Sequence, residues 1–207
     1  MKKLFVFDMD GTLLPKTTAM LEIAHMTGHT EELERLEKLL LRQEIGNTQF
    51  AEAIYHLWDN LGEETVKASF ASAPKLRNID QALNKIIAMG GVPCLITSAS
   101  DFFANHFSSY GFDHIFASKP FDLKEREFTP QYILHAKDKP RLAISLCQQL
   151  NFKFEESVAF GDSLSDVALF QNLNQTVSVN GDTHIKNYAK YHYSGKDLLE
   201  ALSLVLS

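Results

Sequence analysis

Short apolar runs alternate with stretches of helical periodicity over much of this 207-residue chain. Residues 4–7, 92–97, 115–117, 157–160 and 176–179 are the apolar runs, and each predicts a strand. Their near-continuous apolar character suits strands covered on both faces. Between them, Ile79, Leu83, Ile86 and Ile87 keep helical spacing and stop at Gly90 and Gly91. Ser100 is placed to cap a helix running to Tyr110, with Gly111 just beyond its end. Residues 140–150 predict another helix, with Pro140 tolerated in its first turn. Residues 182–190 and 196–206 predict two more. Strand-helix alternation of this kind predicts an α/β fold, a central parallel sheet between two helical layers.

One stretch breaks the rhythm, because residues 16–74 contain no strand pattern. "TEELERLEKLLLRQE" puts Leu33, Leu36, Leu39 and Leu40 on one helical face, and Glu34 and Lys38 form a favourable i,i+4 pair. "NTQFAEAIYHLWDNL" groups Phe50, Ala53, Ile54, Leu57 and Trp58, and "EETVKASFASAP" is stopped by Pro74. The expected organisation is a core of residues 1–14 and 77–207, with residues 15–76 forming a small helical cap inserted after the first strand.

Composition narrows the function. A 45% hydrophobic content supports one core with a small accessory unit. The net charge is −6 with no basic block, which argues against nucleic acid as a partner. Cys94 and Cys147 lie in apolar segments and read as reduced, buried thiols, and no Cys/His cluster suggests zinc. Only residues 4–7 separate the N-terminal lysines from Asp8, short of the roughly 7–15 apolar residues of a signal peptide core. No run approaches the roughly 18 apolar residues of a membrane span. The expectation is a soluble cytoplasmic protein with no membrane partner.

In open parallel sheets, ligands bind beyond the carboxyl ends of the strands. Asp8, Asp10, Gly11 and Thr12 follow the first strand. Thr97, Ser98, Ala99 and Ser100 end the second, and Gly161, Asp162, Ser163 and Asp166 follow "SVAF". Lys137 and Lys139 stand just before the Pro140 helix. "DG" alone is an ordinary turn, and "GDSLSD" alone an ordinary helix start. Their coincidence at strand ends is what carries information. Burying a carboxylate costs about several kcal/mol unless compensated. Oxygen-only ligation by Asp8, Asp10, Asp162 and Asp166 suits Mg²⁺, which keeps several waters and favours sites shared with a phosphate. Mg²⁺ and a lysine would then leave a cationic pocket for a phosphate dianion. In that frame Asp8 is the candidate nucleophile and Asp10 the candidate general acid and base. Ser98, or Thr97, binds a phosphoryl oxygen. Gly11, Thr12 and Ala99 complete the phosphate-binding positions, and Gly11 also turns the backbone sharply. Lys139, or else Lys137 or Lys119, neutralises charge in the transition state. Asp162 ligates the metal directly, and Asp166 orients metal-bound water or the lysine.

"DMDGTLL", "LITSAS", a lysine before a helix and "GDSLSD" resemble, in order, the four motifs of the haloacid dehalogenase (HAD) superfamily of phosphohydrolases. The resemblance spans residues 8–166. It implies a Rossmann-like core, Mg²⁺ dependence and an aspartyl-phosphate on Asp8. The helical insert resembles the superfamily's C1-type cap, and "ITSAS" and the cap size resemble the phosphoserine-phosphatase-like branch. Phosphoserine-specific members carry a cap Glu soon after the first motif and a cap Arg. Here "PKTTAM" has no acid before Glu22, and "FAEAIYHLWDNL" has no Arg, so the resemblance does not extend to phosphoserine recognition. Arg42, His25, His29 and His56 are other cap residues available to a substrate. The resemblance implies a phosphomonoester hydrolase acting on a small phosphorylated metabolite. A phosphotransferase or phosphomutase of the same superfamily would keep the same residues.

Overall fold

The computed structural model describes residues 2–206. Four consecutive buried apolar residues make β1 (Leu4–Phe7) the interior strand of a parallel sheet. Its neighbours are β2 (Val92–Ser100) and β4 (Val158–Gly161). The remaining strands are β3 (His114–Ser118), β5 (Gln175–Val179) and β6 (Tyr191–Tyr193), in the order β3-β2-β1-β4-β5-β6.

Alternate side chains of β1 feed two cores. Phe5 and Phe7 face one layer with Leu83 and Ile86 of α5 (Ile79–Ala88) and Leu198 and Leu202 of α10 (Leu198–Ser203). Leu4 and Val6 face the other, with Ala143 and Leu146 of α7 (Lys139–Leu150). Leu169 of α8 (Val167–Phe170) and Ile185 of α9 (Thr183–Lys186) join that second layer. Phe7 stacks on Phe160 at 4.5 Å between ring centroids, which ties β1 to β4 below the site.

The insert is α1 (Ala19–Thr27), α2 (Thr30–Leu41), α3 (Asn47–Leu57) and α4 (Glu63–Ser72). Its buried residues Ile23, Leu33, Ile54, Trp58 and Val66 join the Phe5 and Phe7 core, so the insert is packed and not tethered alone. Polar contacts fix it to the loop after β3. Tyr55 Oη donates to the Arg126 carbonyl at 2.6 Å, and Arg126 Nη2 donates to the Tyr55 carbonyl at 3.0 Å. Asn47 Nδ2 lies 3.0 Å from His135 Nδ1. No helix among the described residues is long and apolar enough to cross a membrane.

Several elements differ from the sequence expectation. The strand predicted over 92–97 runs on to Ser100, so the next helix, α6 (Asp101–Ala104), is four residues long and gives way to a tighter turn over 105–110. Gly111 ends that turn at φ 107°, as expected, but the Ser100 hydroxyl caps nothing. α1 went unread because its apolar residues spread around the helix and leave no single stripe, and Thr18 caps it by accepting from the Leu21 N–H at 3.1 Å. β6 is a three-residue edge strand that is only half buried, too short for its pattern to register. The last two helices are shorter than expected at both ends.

Candidate active site

The sheet order runs outward in both directions from β1 and β4, so the crevice at their carboxyl ends is a topological switch point. β1 delivers Asp8 there and β4 delivers Asp162. The Asp8 N–H donates to the Phe160 carbonyl at 3.0 Å and fixes the two exits together. Two glycines let the carboxylates close in. Gly11 has φ +76°, and a Cβ there would lie 2.1 Å from Asp162 Oδ2. A Cβ on Gly161 would lie 2.4 Å from Asp166 Cγ.

Lys139, the first residue of α7, is 2% exposed. Its Nζ donates to Asp8 Oδ1 at 2.8 Å, to Asp166 Oδ1 at 2.7 Å and to Ser165 Oγ at 3.3 Å. Asp166 is fully committed, since its Oδ2 accepts from the Asp162 N–H at 3.0 Å and the Ser163 N–H at 3.4 Å. Asp162 accepts from Thr12 Oγ1 at 3.3 Å. Oxygens of Asp8, Asp162 and Asp166 all lie within 4.8 Å of one another. Three carboxylates against one ammonium leave two excess negative charges, which a divalent cation matches.

The electrostatics carry the same message. Burial, and then repulsion from Asp166, raise Asp8 to about 6 despite Lys139. Burial, with Asp8 and Asp166 adding to it, raises Asp162 to about 8. Burial alone would pull Lys139 down, but Asp166 and Asp8 outweigh it and hold the ammonium charged. Asp10 is raised to about 7, chiefly by burial, with the Ala19 N–H pulling the other way.

Of the three candidate lysines, only Lys139 reaches the carboxylates. Lys137 is exposed, and Lys119 is exposed and pairs with Asp122 at 3.7 Å. Thr97 is buried with its hydroxyl accepting from the Ala99 N–H at 3.1 Å, whereas Ser98 is exposed into a cavity beneath the insert. The Ala99 N–H is thereby occupied, and so is that of Gly11, which donates to the Leu14 and Thr17 carbonyls. The Asp10 carboxylate lies outside the three-carboxylate group and accepts from the Ala19 N–H at 2.8 Å. The other cap residues available to a substrate do not converge on the carboxylates. His25 and His56 are exposed, His29 Nδ1 contacts Thr27 Oγ1 at 3.0 Å, and exposed Arg42 pairs with Glu44 at 3.8 Å. Glu22 accepts from Thr17 Oγ1 at 2.5 Å.

Three participants were missed. Ser165, inside "GDSLSD", touches the lysine. Ala19 contributes only a main-chain N–H, which no side-chain pattern reveals. Glu37 of α2 lines a second cavity with Asp10, Lys16 and Asp162, and burial raises its carboxyl.

A parallel α/β sheet with an acidic, lysine-braced centre at its carboxyl edge, roofed by helices inserted after the first strand, defines an enzyme of the hydrolase and phosphoryl-transfer type. The chain belongs to the haloacid dehalogenase-like hydrolases, whose family model matches residues 5–171. It is similar to a phosphoserine phosphatase of Methanocaldococcus jannaschii, with 22% identity over 99% of this chain and 98% of that one. Among solved structures, a phospho-aspartyl intermediate analogue of phosphoserine phosphatase aligns with TM-score 0.81 at 21% identity, covering 99% of both chains. A HAD family hydrolase from Salmonella enterica subsp. enterica serovar Typhi aligns with TM-score 0.84 at 19% identity, over 97% of this chain and 70% of that one. These structural likenesses establish the fold, including the helical insertion after β1.

Proposed function

We propose that this hydrolase cleaves a small phosphomonoester in a Mg²⁺-dependent reaction through an aspartyl-phosphate on Asp8. The observation that carries the reading is Lys139, buried and shared between Asp8 and Asp166 beside Asp162. The donor set fits Mg²⁺, which Asp8 and Asp162 would hold, and Asp166 would brace Lys139 and the Asp162 main chain. When bound, the ion supplies charge neutralisation for the phosphoryl oxygens.

The chain's own groups do the rest. The free oxygen of Asp8 attacks phosphorus, and the bond to the alcohol oxygen breaks. Asp10, raised to about 7, is partly protonated near neutrality and delivers its proton to that oxygen. The resulting Asp10 carboxylate then takes a proton from the water that cleaves the aspartyl-phosphate, releasing phosphate and restoring Asp8. The Ser98 hydroxyl and the Lys139 ammonium face the phosphoryl oxygens.

Hydrolysis of p-nitrophenyl phosphate with Mg²⁺, abolished by EDTA, tests the reading; equal rates with and without the metal would refute it. Asp10→Asn sharpens it. Its kcat/KM on an alkyl phosphate, which reports departure of the alcohol and not the later attack of water, should fall by about 10²–10⁴-fold. The loss should shrink for p-nitrophenyl phosphate, whose leaving group departs without a proton. Equal losses on both esters would remove the acid role.

Mg²⁺ should also stabilise the fold. At about a hundred times its Kd it contributes about 2.7 kcal/mol, which is about 5–10 °C in Tm for a chain of this size. The pH dependence has a defined sign. Asp8 and Asp162 sit above the ordinary aspartate value, at about 6 and about 8, so the metal-free folded state holds protons that the unfolded chain releases. That contribution is fully present below about pH 4 and is lost as pH rises through 6 to 8. The Mg²⁺-induced shift should therefore grow between pH 6 and pH 8, and Asp162→Asn should suppress it. A shift independent of pH in differential scanning fluorimetry would contradict the assignment.

A further inference from the structure

We infer that the alcohol half of the substrate is uncharged and mainly apolar, an inference that rests on the phosphohydrolase reading above. A cavity of about 270 Å³ lies between the insert and the carboxyl edge of the sheet. Met20, Leu40 and Phe50 form its insert wall, and Pro120, Ile133 and Leu134 stand on its core wall. It continues from the phosphoryl site, because Ser98 and Ser165 both open into it and the Ser165 hydroxyl is 3.3 Å from the Lys139 ammonium. Met20 directly follows Ala19, whose N–H holds the Asp10 carboxylate, while Asp10 itself faces the second cavity with Lys16 and Glu37.

The lining determines what fits. Among the described residues around this cavity there is no Lys, Arg, Asp or Glu. His135 is the one ionisable group, and its Nδ1 is engaged by Asn47 at 3.0 Å. An ammonium or carboxylate entering here would lose water and meet no countercharge. Besides the Asn47–His135 pair the polar lining residues are Ser98, Ser100, Ser118 and Ser165, and they are not equivalent. The Ser118 hydroxyl is occupied on both sides, donating to the Ser98 carbonyl and accepting from the Leu134 N–H, each at 2.8 Å. Ser100 is 2% exposed, and its hydroxyl is buried without a partner. A dry cavity of about 150 Å³ accepts a benzene ring. The space here therefore holds an uncharged ring or branched chain. The favoured substrate class is the phosphomonoester of such an alcohol, not of an amino acid.

Benzyl phosphate, O-phosphoserine and acetyl phosphate, each assayed with Mg²⁺ on the wild-type chain and on Asp8→Asn, test this. Acetyl phosphate is too small to need the cavity and reports the phosphoryl chemistry by itself. The expected result is a kcat/KM for benzyl phosphate about a hundredfold or more above that for O-phosphoserine. Acetyl phosphate turnover with O-phosphoserine equal to or better than benzyl phosphate would overturn the inference and leave the phosphohydrolase reading intact. No Asp8-dependent release from any of the three would overturn both. Phe50→Ala should lower the benzyl-to-acetyl phosphate ratio of kcat/KM by about tenfold, with Leu40→Ala as the substitute if the first variant does not fold. An unchanged ratio would place the alcohol elsewhere.

Discussion

Asp8→Asn is expected to lower phosphate release by about 10⁵-fold or more, the scale of losing a nucleophile that acts as part of a unit. The expectation follows from how the carboxylate is held. One Asp8 oxygen is occupied by Lys139 at 2.8 Å, and the main-chain N–H is fixed to Phe160, so the side chain has little freedom to be replaced by a neighbour. Asp162 accepts from Thr12, Asp166 has both oxygens bonded, and Asp10 is turned to Ala19. Asp166 cannot take over the attack without breaking a contact, and Asp162 and Asp10 are already assigned to the metal and to the proton. Asn keeps the shape and can still accept from Lys139, so the fold should survive and circular dichroism should be unchanged. Acid quenching with radiolabelled phosphoester should trap labelled protein from the wild type and none from the variant. Activity within tenfold of the wild type, or label retained on Asp8→Asn, would place the nucleophile elsewhere.

Much of this centre was legible because strand ends are where sequence and geometry coincide. A buried run fixes where a strand stops, and in a parallel sheet all the carboxyl ends share one edge. Asp8, Asp162 and Asp166 were therefore placed together without any contact being known. Lys139 was separable from Lys137 only weakly in sequence. The structure separates them sharply, because the first residue of α7 points under the sheet edge while Lys137 lies in an exposed turn. The Asp10 partner was illegible, since it is a main-chain N–H supplied by a helix whose apolar residues spread over most of its faces and gave no one-sided pattern. Ser100 was misread for a related reason. Its type suits a helix cap, but β2 carries it two residues further along the sheet edge than Ser98, where its hydroxyl is enclosed. The selective wall was illegible as well. It is assembled from α1, α2, α3 and the loop over 133–136, and no local pattern records which of their half-buried side chains meet.

Lys139→Met should cost about 3–5 kcal/mol of stability in the metal-free protein, the range for removing one partner of a buried ion pair. At about 2–4 °C per kcal/mol that is a fall in Tm of about 6–20 °C. The size follows from what is left behind. Methionine fills the stem volume, but Asp8 and Asp166, at 5% and 1% exposure, lose the one ammonium that pairs with either among the described residues. Lys139 is what holds the Asp8 carboxyl down against burial and against Asp166, so without it the value climbs further above about 6. A raised carboxyl favours the folded state only where it stays protonated, so its stability contribution falls as pH rises through the folded value. The deficit of Lys139→Met relative to wild type should thus be small near pH 5 and widen toward pH 8. Mg²⁺ should recover part of it by replacing the lost positive charge among the same oxygens. It should not recover the rate, since an ion held by Asp8 and Asp162 leaves the Asp166 side of the phosphoryl group without its cation. The expected kcat is lower by about 10²–10³-fold even at saturating metal. Chemical denaturation at pH 5 and pH 8, with and without Mg²⁺, reads the stability part directly. A deficit that is equal at both values, or largest at the acidic one, would mean that Lys139 is a packing residue and not the counterion of this centre.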